Sequence, residues 1–327
     1  MSFLRSAFGA AGALALSATL LAAQEYPSKT ILLVVPFAPG GGIDASARLQ
    51  AQVLGEILGQ QIIVENIGGA AGTIGSVKVA NARPDGYTML IGNSGTHAYS
   101  QTLYKKQPFD SLKDFEPIGV VTESPRIMLG RKDLPVKGLK EFVAYAKANQ
   151  AKMTYGSAGV GSGTHLPCAL FNHVVGLKIE HIPFRGAGQV LTDLIAGRID
   201  YMCDTIQTGA ARAKSGQVMG LAVMAPKRLP IIADLGTTGE QGIAGVEATV
   251  WNAFFFPKAT PKPIVMRMHG AIQTMLARPD ITSKMAGFGL DIVPPEQRSP
   301  EYMSKLLKEE IERWGKLIKE TGITAEQ

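Results

Sequence analysis

Apolar positions recur along the chain with two spacings, one typical of buried strands and one typical of amphipathic helices. Residues 30–35 (TILLVV) form a short β-branched run, which predicts a parallel strand buried on both faces. Residues 43–58 carry apolar side chains at helical spacing and predict a helix packed on that strand. A strand at 61–67, a small-residue helix at 72–82 and a strand at 87–92 follow. This part of the chain therefore predicts a β-α-β-α-β unit with a parallel sheet.

The alternation then restarts, which predicts a second α/β unit of similar size. Two short strands are expected at 117–121 and 126–129, across a crossover. The later elements are expected at 139–148 (helix), 153–157 (strand), 166–175 (helix), 178–183 (strand), 188–196 (helix), 199–204, 218–224 and 250–256 (strands), and 263–276 and 300–318 (helices). The predicted fold class is α/β, with two doubly wound domains and a cleft between them. Domain 1 would take 24–125 and 227–327, and domain 2 would take 126–226.

The first 23 residues predict a secretory signal peptide. Arg5 supplies a positive start, residues 7–21 are apolar, and Ala22 and Ala23 precede a polar stretch. The apolar run is shorter than the ~20 residues that span a bilayer. We therefore expect a soluble protein in the periplasm.

The composition limits the possible partners. The chain has 327 residues, 46% of them hydrophobic and 18% charged, and a net charge of +6. This excludes wholesale disorder, and the mild positive charge attracts small anions. The lysines and arginines are dispersed, so we expect no nucleic-acid partner. We also expect no cofactor and a monomeric protein.

Cys168 and Cys203 are the only cysteines. An exported protein can join such a pair in a disulfide. Both lie in apolar surroundings, however, which favours two unbridged buried side chains. The five histidines show no metal-ligand spacing with the cysteines, so no metal site is predicted.

Two glycine-rich segments each lie between a predicted strand and a predicted helix. Residues 36–44 (PFAPGGGID) follow the first strand, and residues 155–165 (YGSAGVGSGTH) occupy the matching place in the second unit. Glycines let the backbone approach a ligand, and amides at a helix N-terminus attract an anion. An ordinary strand–helix turn is the alternative for each. Neither segment is a nucleotide loop, because the first lacks Lys-Ser/Thr and Thr164 replaces the third glycine of a dinucleotide fingerprint.

Other candidate residues stand at strand ends. Ser94 and Thr96 follow the third strand, and Arg185 follows the strand at 178–183. Arg185 can bind a carboxylate through two hydrogen bonds, although an arginine on the surface is the commoner case. Asp204 can accept a hydrogen bond from a ligand hydroxyl, an amine or water, or cap the next helix.

Aromatic residues accompany the same loops. Phe37, Tyr155 and Phe184 can form the wall of an apolar or aromatic ligand site, or belong to the core. A hydrolase would need the turn Gly-x-Ser-x-Gly, which no serine satisfies. Ser162 near His165 leaves an exported hydrolase as an alternative, without an evident carboxylate to orient the histidine.

As an ordered set, these segments resemble the periplasmic substrate-binding proteins of tripartite tricarboxylate transporters, the Bug family. The matching segments are VPFAPGGGID (35–44), ENIGGAAG (65–72), ARPDGY (82–87), FEPI (115–118), YGSAG (155–159), HL (165–166) and HIPFRG (181–186). The resemblance runs from residue 26 to the last helix. It implies two α/β domains, like those of type II periplasmic binding proteins, that close on a small carboxylate.

The resemblance also implies which residues bind the ligand. In this family two glycine-containing loops grip one carboxylate, helped by ordered water. The matching positions are Phe37, Ala38, Gly41 and Asp44 in the first loop, Ser157, Ala158, Gly159 and Thr164 in the second, and Asp204 in the cleft. The chain departs from the family pattern in a second loop that is shorter by one residue, and in Ala169, where an acid is usual.

The predicted function is therefore capture of a small carboxylate, without catalysis. The carboxylate would be a dicarboxylate, a tricarboxylate or an aromatic acid such as a phthalate. Delivery to the membrane subunits of a tripartite tricarboxylate transporter is the leading interpretation. A sensor that presents its ligand to a signalling receptor is a further alternative.

Overall fold

The computed structural model describes residues 26–37, 39–40, 42–184 and 186–324, and the predicted signal peptide lies outside these ranges. Its fold is α/β, as the sequence predicts. The strands are β1 (Ile31–Val35), β2 (Ile62–Asn66), β3 (Thr88–Asn93), β4 (Phe115–Gly130), β5 (Thr154–Ser157), β6 (Glu180–Pro183), β7 (Tyr201–Thr205), β8 (Met219–Met224), β9 (Thr249–Pro257) and β10 (Asp291–Ile292). The helices are α1 (Gly42–Leu58), α2 (Thr73–Ala80), α3 (Ser100–Leu103), α4 (Leu139–Asn149), α5 (Leu166–Val175), α6 (Ala187–Ile195), α7 (Ile206–Lys214), α8 (Lys262–Leu276), α9 (Pro279–Gly287) and α10 (Pro300–Thr321).

The sheet consists of two halves with the same strand order. In the first half the order is β2-β1-β3-β9-β4, with β1 parallel to β2 and β3, and with β9 antiparallel to both of its neighbours. In the second half the order is β6-β5-β7-β4-β8, with β5 parallel to β6 and β7, and with β4 antiparallel to both of its neighbours. Strand β5 therefore occupies in the second half the place that β1 occupies in the first.

Strand β4 belongs to both halves, which corrects the prediction of two short strands at 117–121 and 126–129. Its residues from Phe115 to Pro125 pair with β9, and those from Arg126 to Gly130 pair with β7 and β8. Prolines cannot donate to a ladder and therefore suggest breaks in a sequence. Here the register shifts next to Pro117, and Pro125 is the last residue to pair with β9, so one strand accommodates both prolines.

The core follows the hydrophobic pattern. Strands β1 and β3 are almost completely buried, because helices cover both faces of a parallel sheet. The C-terminal helix α10 packs across β4 and α3, and its buried Trp314 lies 4.6 Å from Tyr99 between ring centres. Within the described ranges, no helix combines the length and apolar character needed to cross a membrane. Helices α3, α7 and α9 and strand β10 lack a clear period and were not predicted.

Candidate functional site

The shared strand order makes two loops equivalent. The first joins β1 to α1, and the second joins β5 to α5, so each leaves the carboxyl end of a strand that lies between two parallel neighbours. Ligands of open α/β sheets bind at this edge. The predicted correspondence of the two glycine-rich segments is therefore matched by the topology.

Asp44 fixes the end of the first loop. Its buried carboxylate accepts hydrogen bonds from the amide of Gly40 (2.8 Å), from Nδ2 of Asn66 (2.9 Å) and from Nε of Arg48 (3.2 Å). Burial alone would raise the pKa of Asp44, but these donors outweigh it and hold the pKa below its ordinary value. Asp44 therefore organises the loop through its charge.

Asn66 completes this network, although it was not among the candidate residues predicted from the sequence. Its Nδ2 also donates to the carbonyl of Phe37 (3.1 Å), and its Oδ1 accepts from Arg48 (2.8 Å). Asn66 closes β2, beside β1, so it ties together the two ends of the loop. Asn66 lies in the segment ENIGGAAG, which matches the family, and this match could have identified it as a candidate. Phe37 lies partly buried beside it, whereas Ala38 and Gly41 lie outside the described residues.

The second loop is held by its own hydroxyl groups. The amide of Ala158 donates to Oγ1 of Thr164 (2.9 Å), and Oγ of Ser157 donates to the carbonyl of Gly159 (2.9 Å). Oγ of Ser162 lies 3.0 Å from Oγ1 of Thr164. These contacts give the loop a fixed shape, and Gly159 supplies a φ of 115° that favours glycine. The structure thus places all four predicted residues of this loop in one small turn.

A cluster of aromatic rings packs against the second loop on the side of the core. The ring centres of His165 and His181 lie 3.9 Å apart, and Tyr155 is stacked with His165 and tilted against His181. Burial lowers the pKa of His165 to about 3 and that of His181 to about 4, so both rings are neutral at pH 7. Nδ1 of His165 accepts from the amide of Gly161 (3.0 Å), which leaves Nε2–H to donate to the Tyr155 hydroxyl (3.2 Å). Tyr155 is 5% exposed and therefore supports the loop from the core.

The turn after β3 contains the next two candidates. Oγ1 of Thr96 accepts from the amide of Asn93 (2.9 Å) and contacts Nδ1 of His97 (2.7 Å). Oγ of Ser94 accepts from the amide of Trp251 (3.2 Å). Both hydroxyls are fully buried and shape the turn next to the first loop. Their contact with a ligand stays a prediction.

Asp204 lies at the end of β7, where its carboxyl group is almost completely buried. Its Oδ1 accepts from the amide of Thr205 (2.7 Å), and its Oδ2 has no hydrogen-bond partner among the described residues. Burial raises the pKa of Asp204 to about 6, although Thr205 and the nearby Arg126 act in the opposite direction. An unpartnered buried oxygen is an acceptor ready for a ligand or a water. Phe184 lies partly buried after β6, and Arg185 is outside the described residues.

Cys168 and Cys203 form a disulfide, so the prediction of two unbridged cysteines was wrong. Their Cα atoms lie 5.5 Å apart, a separation that a disulfide spans without backbone movement. Apolar flanking residues are typical of a buried cysteine, whether it is a free thiol or part of a disulfide. The sequence pattern therefore could not distinguish the two. The bond joins the first turn of α5 to β7, next to Asp204. It therefore links the start of α5, which follows the second loop, to the strand that carries Asp204.

The family comparison agrees with this architecture. Residues 46–323 match the family described as TctC, the tripartite tricarboxylate transporter family receptor. The chain belongs to this family. A relative from Agrobacterium vitis, named UPF0065 protein in the TAR-I ttuE-ttuC' intergenic region, is 37% identical, and the match covers 95% of this chain and 91% of the relative.

Two solved structures with bound carboxylates share the fold of this TctC family member. MatC from Rhodopseudomonas palustris with bound malate is 36% identical with a TM-score of 0.81, and the match covers 90% of this chain and 100% of MatC. An R. palustris protein with adipate is 32% identical with a TM-score of 0.83, covering 92% of this chain and 99% of that protein. The recognition of a periplasmic binding protein family from the sequence is confirmed.

Proposed function

We propose that this protein captures a small carboxylate between its two equivalent loops and delivers it to the membrane subunits of a tripartite tricarboxylate transporter. The observation that carries the proposal is the pair of loops at the carboxyl ends of β1 and β5, each fixed by internal hydrogen bonds. Fixed backbone amides next to a helix N-terminus suit an anion.

Two domains would supply the movement. We assign 24–125 and 227–327 to one domain and 126–226 to the other. The change of partners along β4, from β9 up to Pro125 to β7 and β8 from Arg126, supports this division. A ligand held by one loop from each domain would favour a closed cleft.

The ligand class follows from the site and from the relatives. Two related solved structures hold malate and adipate, both dicarboxylates. The loops of this chain offer backbone amides and hydroxyl groups, which recognise a carboxylate whatever the remainder of the ligand is. A tricarboxylate or an aromatic carboxylate such as a phthalate therefore stays within the proposed class.

The site gives little support to the exported hydrolase. His165 directs Nδ1 to the amide of Gly161 and Nε2 to Tyr155, so neither nitrogen is paired with Ser162. A nucleophilic serine needs a base within hydrogen-bond reach. Ser157 does contact His181 (2.7 Å), but its hydroxyl is fully buried and donates to Gly159. A sensor that presents its ligand to a receptor would use the same ligand site. It stays an alternative, because it differs from a transport protein only in the partner that it contacts.

Isothermal titration tests the proposal directly. The chain from residue 24 onward should bind at least one member of a panel of dicarboxylates, tricarboxylates, phthalates and acidic amino acids. The corresponding neutral amides serve as matched controls and should not bind. Absence of binding across the whole panel would contradict the proposed function. The mass of the exported protein, which should lack residues 1–23, tests the periplasmic location independently.

A further inference from the structure

Arg126 is a buried cation without an ion-pair partner. Its side chain is 5% exposed, and no described carboxylate forms an ion pair with it. Arginine is almost never buried in this way unless its charge is paired. Its pKa is lowered by burial, but a guanidinium still keeps its proton at neutral pH. The folded protein thus holds a permanent positive charge in its interior. No carboxylate among the described residues contacts that charge.

Several N–H donors of Arg126 have no hydrogen-bond partner among the described residues. Its Nε donates to the carbonyl of Gly163 (2.9 Å), and Nη1 makes a long contact of 3.4 Å with Oγ of Ser124. A guanidinium has five N–H donors. Among the described residues, no other group accepts from this side chain.

Arg126 lies where the two halves of the protein meet. It is the first residue of β4 to pair with β7 and β8. A Cβ atom at Gly163 would approach Nη2 of Arg126 to 2.9 Å, so the absence of a side chain there lets the guanidinium lie against the second loop. The side chain is also close enough to Tyr99 and Asp204 for both to influence its pKa. Tyr99 follows β3 of the first half, so Arg126 faces groups from both halves.

The contact with Gly163 shows which side of the second loop Arg126 faces. In a trans peptide the N–H points away from the C=O. Because the carbonyl of Gly163 points towards Arg126, the following amide, that of Thr164, points away from it. An anion held by that amide would be on the opposite side of the peptide from the guanidinium. A group bound to Arg126 would therefore be separate from an anion held by the Thr164 amide.

We propose that Arg126 binds a second acidic group of the ligand and makes the protein selective for dicarboxylates over monocarboxylates. This inference rests on the proposed function, in which the loops hold the first carboxylate. The unpartnered Oδ2 of Asp204 would accept a hydrogen bond from a hydroxyl or amine of the same ligand. A carboxylate between the loops and Arg126 would give the buried cation its missing partner.

The test compares each diacid with its own half-ester. Succinate, glutarate and adipate are titrated against the wild type, each beside its monomethyl ester, which keeps one carboxylate and removes the other charge. The diacid that binds best should exceed its ester by ~10-fold or more, since hydrogen bonds to a charged group are worth that much. In Arg126→Gln this ratio should fall to within ~3-fold of unity while the ester keeps its wild-type affinity.

Arg228→Gln is the matched control. It removes the same charge from an exposed arginine that pairs with Glu240, and it should retain the wild-type ratio. Equal losses for diacid and ester in Arg126→Gln would assign Arg126 a purely structural role and overturn the inference. If the variant does not fold, equal affinity of the wild type for diacid and ester is by itself sufficient to overturn it. Binding of neither compound would instead count against the proposed function.

Discussion

At the scale of single residues, Asp44 stands out among the described residues of the first loop because its charged carboxylate accepts several hydrogen bonds. Three donors converge on its carboxylate, from the loop itself, from α1 and from the end of β2. The carboxylate therefore ties Gly40 of the loop to α1 and to the end of β2 before any ligand arrives. A loop that is already ordered loses less entropy when it binds.

Asp44→Asn tests this role. The variant keeps the size of the side chain but removes the charge that three donors share, so we expect a loss of about 1–3 kcal/mol in unfolding free energy. Carboxylate affinity should weaken as well. Urea denaturation and titration calorimetry measure the two effects. Glu141→Gln is a suitable control, since Glu141 is an exposed first-turn acid of α4 that accepts from the amide of Lys137, and it should change stability by less than about 0.5 kcal/mol.

The same variant carries a pH signature. The pKa of Asp44 is lowered in the folded protein, so its ionised form stabilises the fold above about pH 4, near its ordinary pKa. That contribution disappears as the pH falls through the lowered value. The stability difference between wild type and Asp44→Asn should therefore be largest at neutral pH and shrink in acid. A difference that stays constant with pH would show that packing, and not charge, is responsible.

Asp44 was a candidate from the sequence and Arg126 was not, for a physical reason. Asp44 belongs to a local motif, since it follows three glycines at the start of a predicted helix. Arg126 looks like any arginine at the start of a strand. Its burial depends on the pairing of β4 with β7 and β8 and on the approach of Gly163, which are distant in sequence. Local patterns contain no information about such contacts.

At the scale of elements, the disulfide between α5 and β7 is the main addition to the predicted picture. The strands TILLVV and YTMLIG and their helices were predictable, because burial on both faces leaves a continuous apolar run. The disulfide was not, since Cys168 and Cys203 are 35 residues apart and only the tertiary fold brings them together.

Removal of the disulfide should cost stability. For a loop of this length, the chain-entropy account gives about 3–4 kcal/mol. We expect Cys168→Ala/Cys203→Ala to unfold at a correspondingly lower denaturant concentration than the wild type. A reducing agent should lower the midpoint of the wild type towards that of the variant and leave the variant unchanged. Equal midpoints for the oxidised and reduced wild type would contradict a stabilising role.

At the scale of the whole molecule, the chain passes between the halves twice within the described residues, once along β4 and once between β8 and β9. Each half contributes one of the equivalent loops. The division into domains at 125/126 and 226/227 stays a prediction, which follows from the restart of the α/β alternation after the first unit. The continuity of β4 was not predicted, because two short strands were expected at 117–121 and 126–129. The segment between them contains Pro125, which cannot donate to a ladder.

Ligand binding should make the molecule more compact. If one carboxylate is held by loops from both halves, the bound state favours closure about the two crossings. Small-angle X-ray scattering of the chain from residue 24 onward should show a smaller radius of gyration with a saturating ligand than without it. The neutral amide of that ligand should leave the radius unchanged. An identical radius in both states, at a ligand concentration that calorimetry shows to be saturating, would exclude closure.

The continuity of β4 has a consequence for the moment of delivery. If the two halves rotate about a point near Pro125, the displacement would be larger at the outer rim of each half than at β4, which both halves share. A membrane partner that contacts both rims would then distinguish the ligand-bound protein from the ligand-free protein by its shape alone. Such a partner needs no contact with the cargo, and one membrane complex would be able to serve several binding proteins that carry different acids.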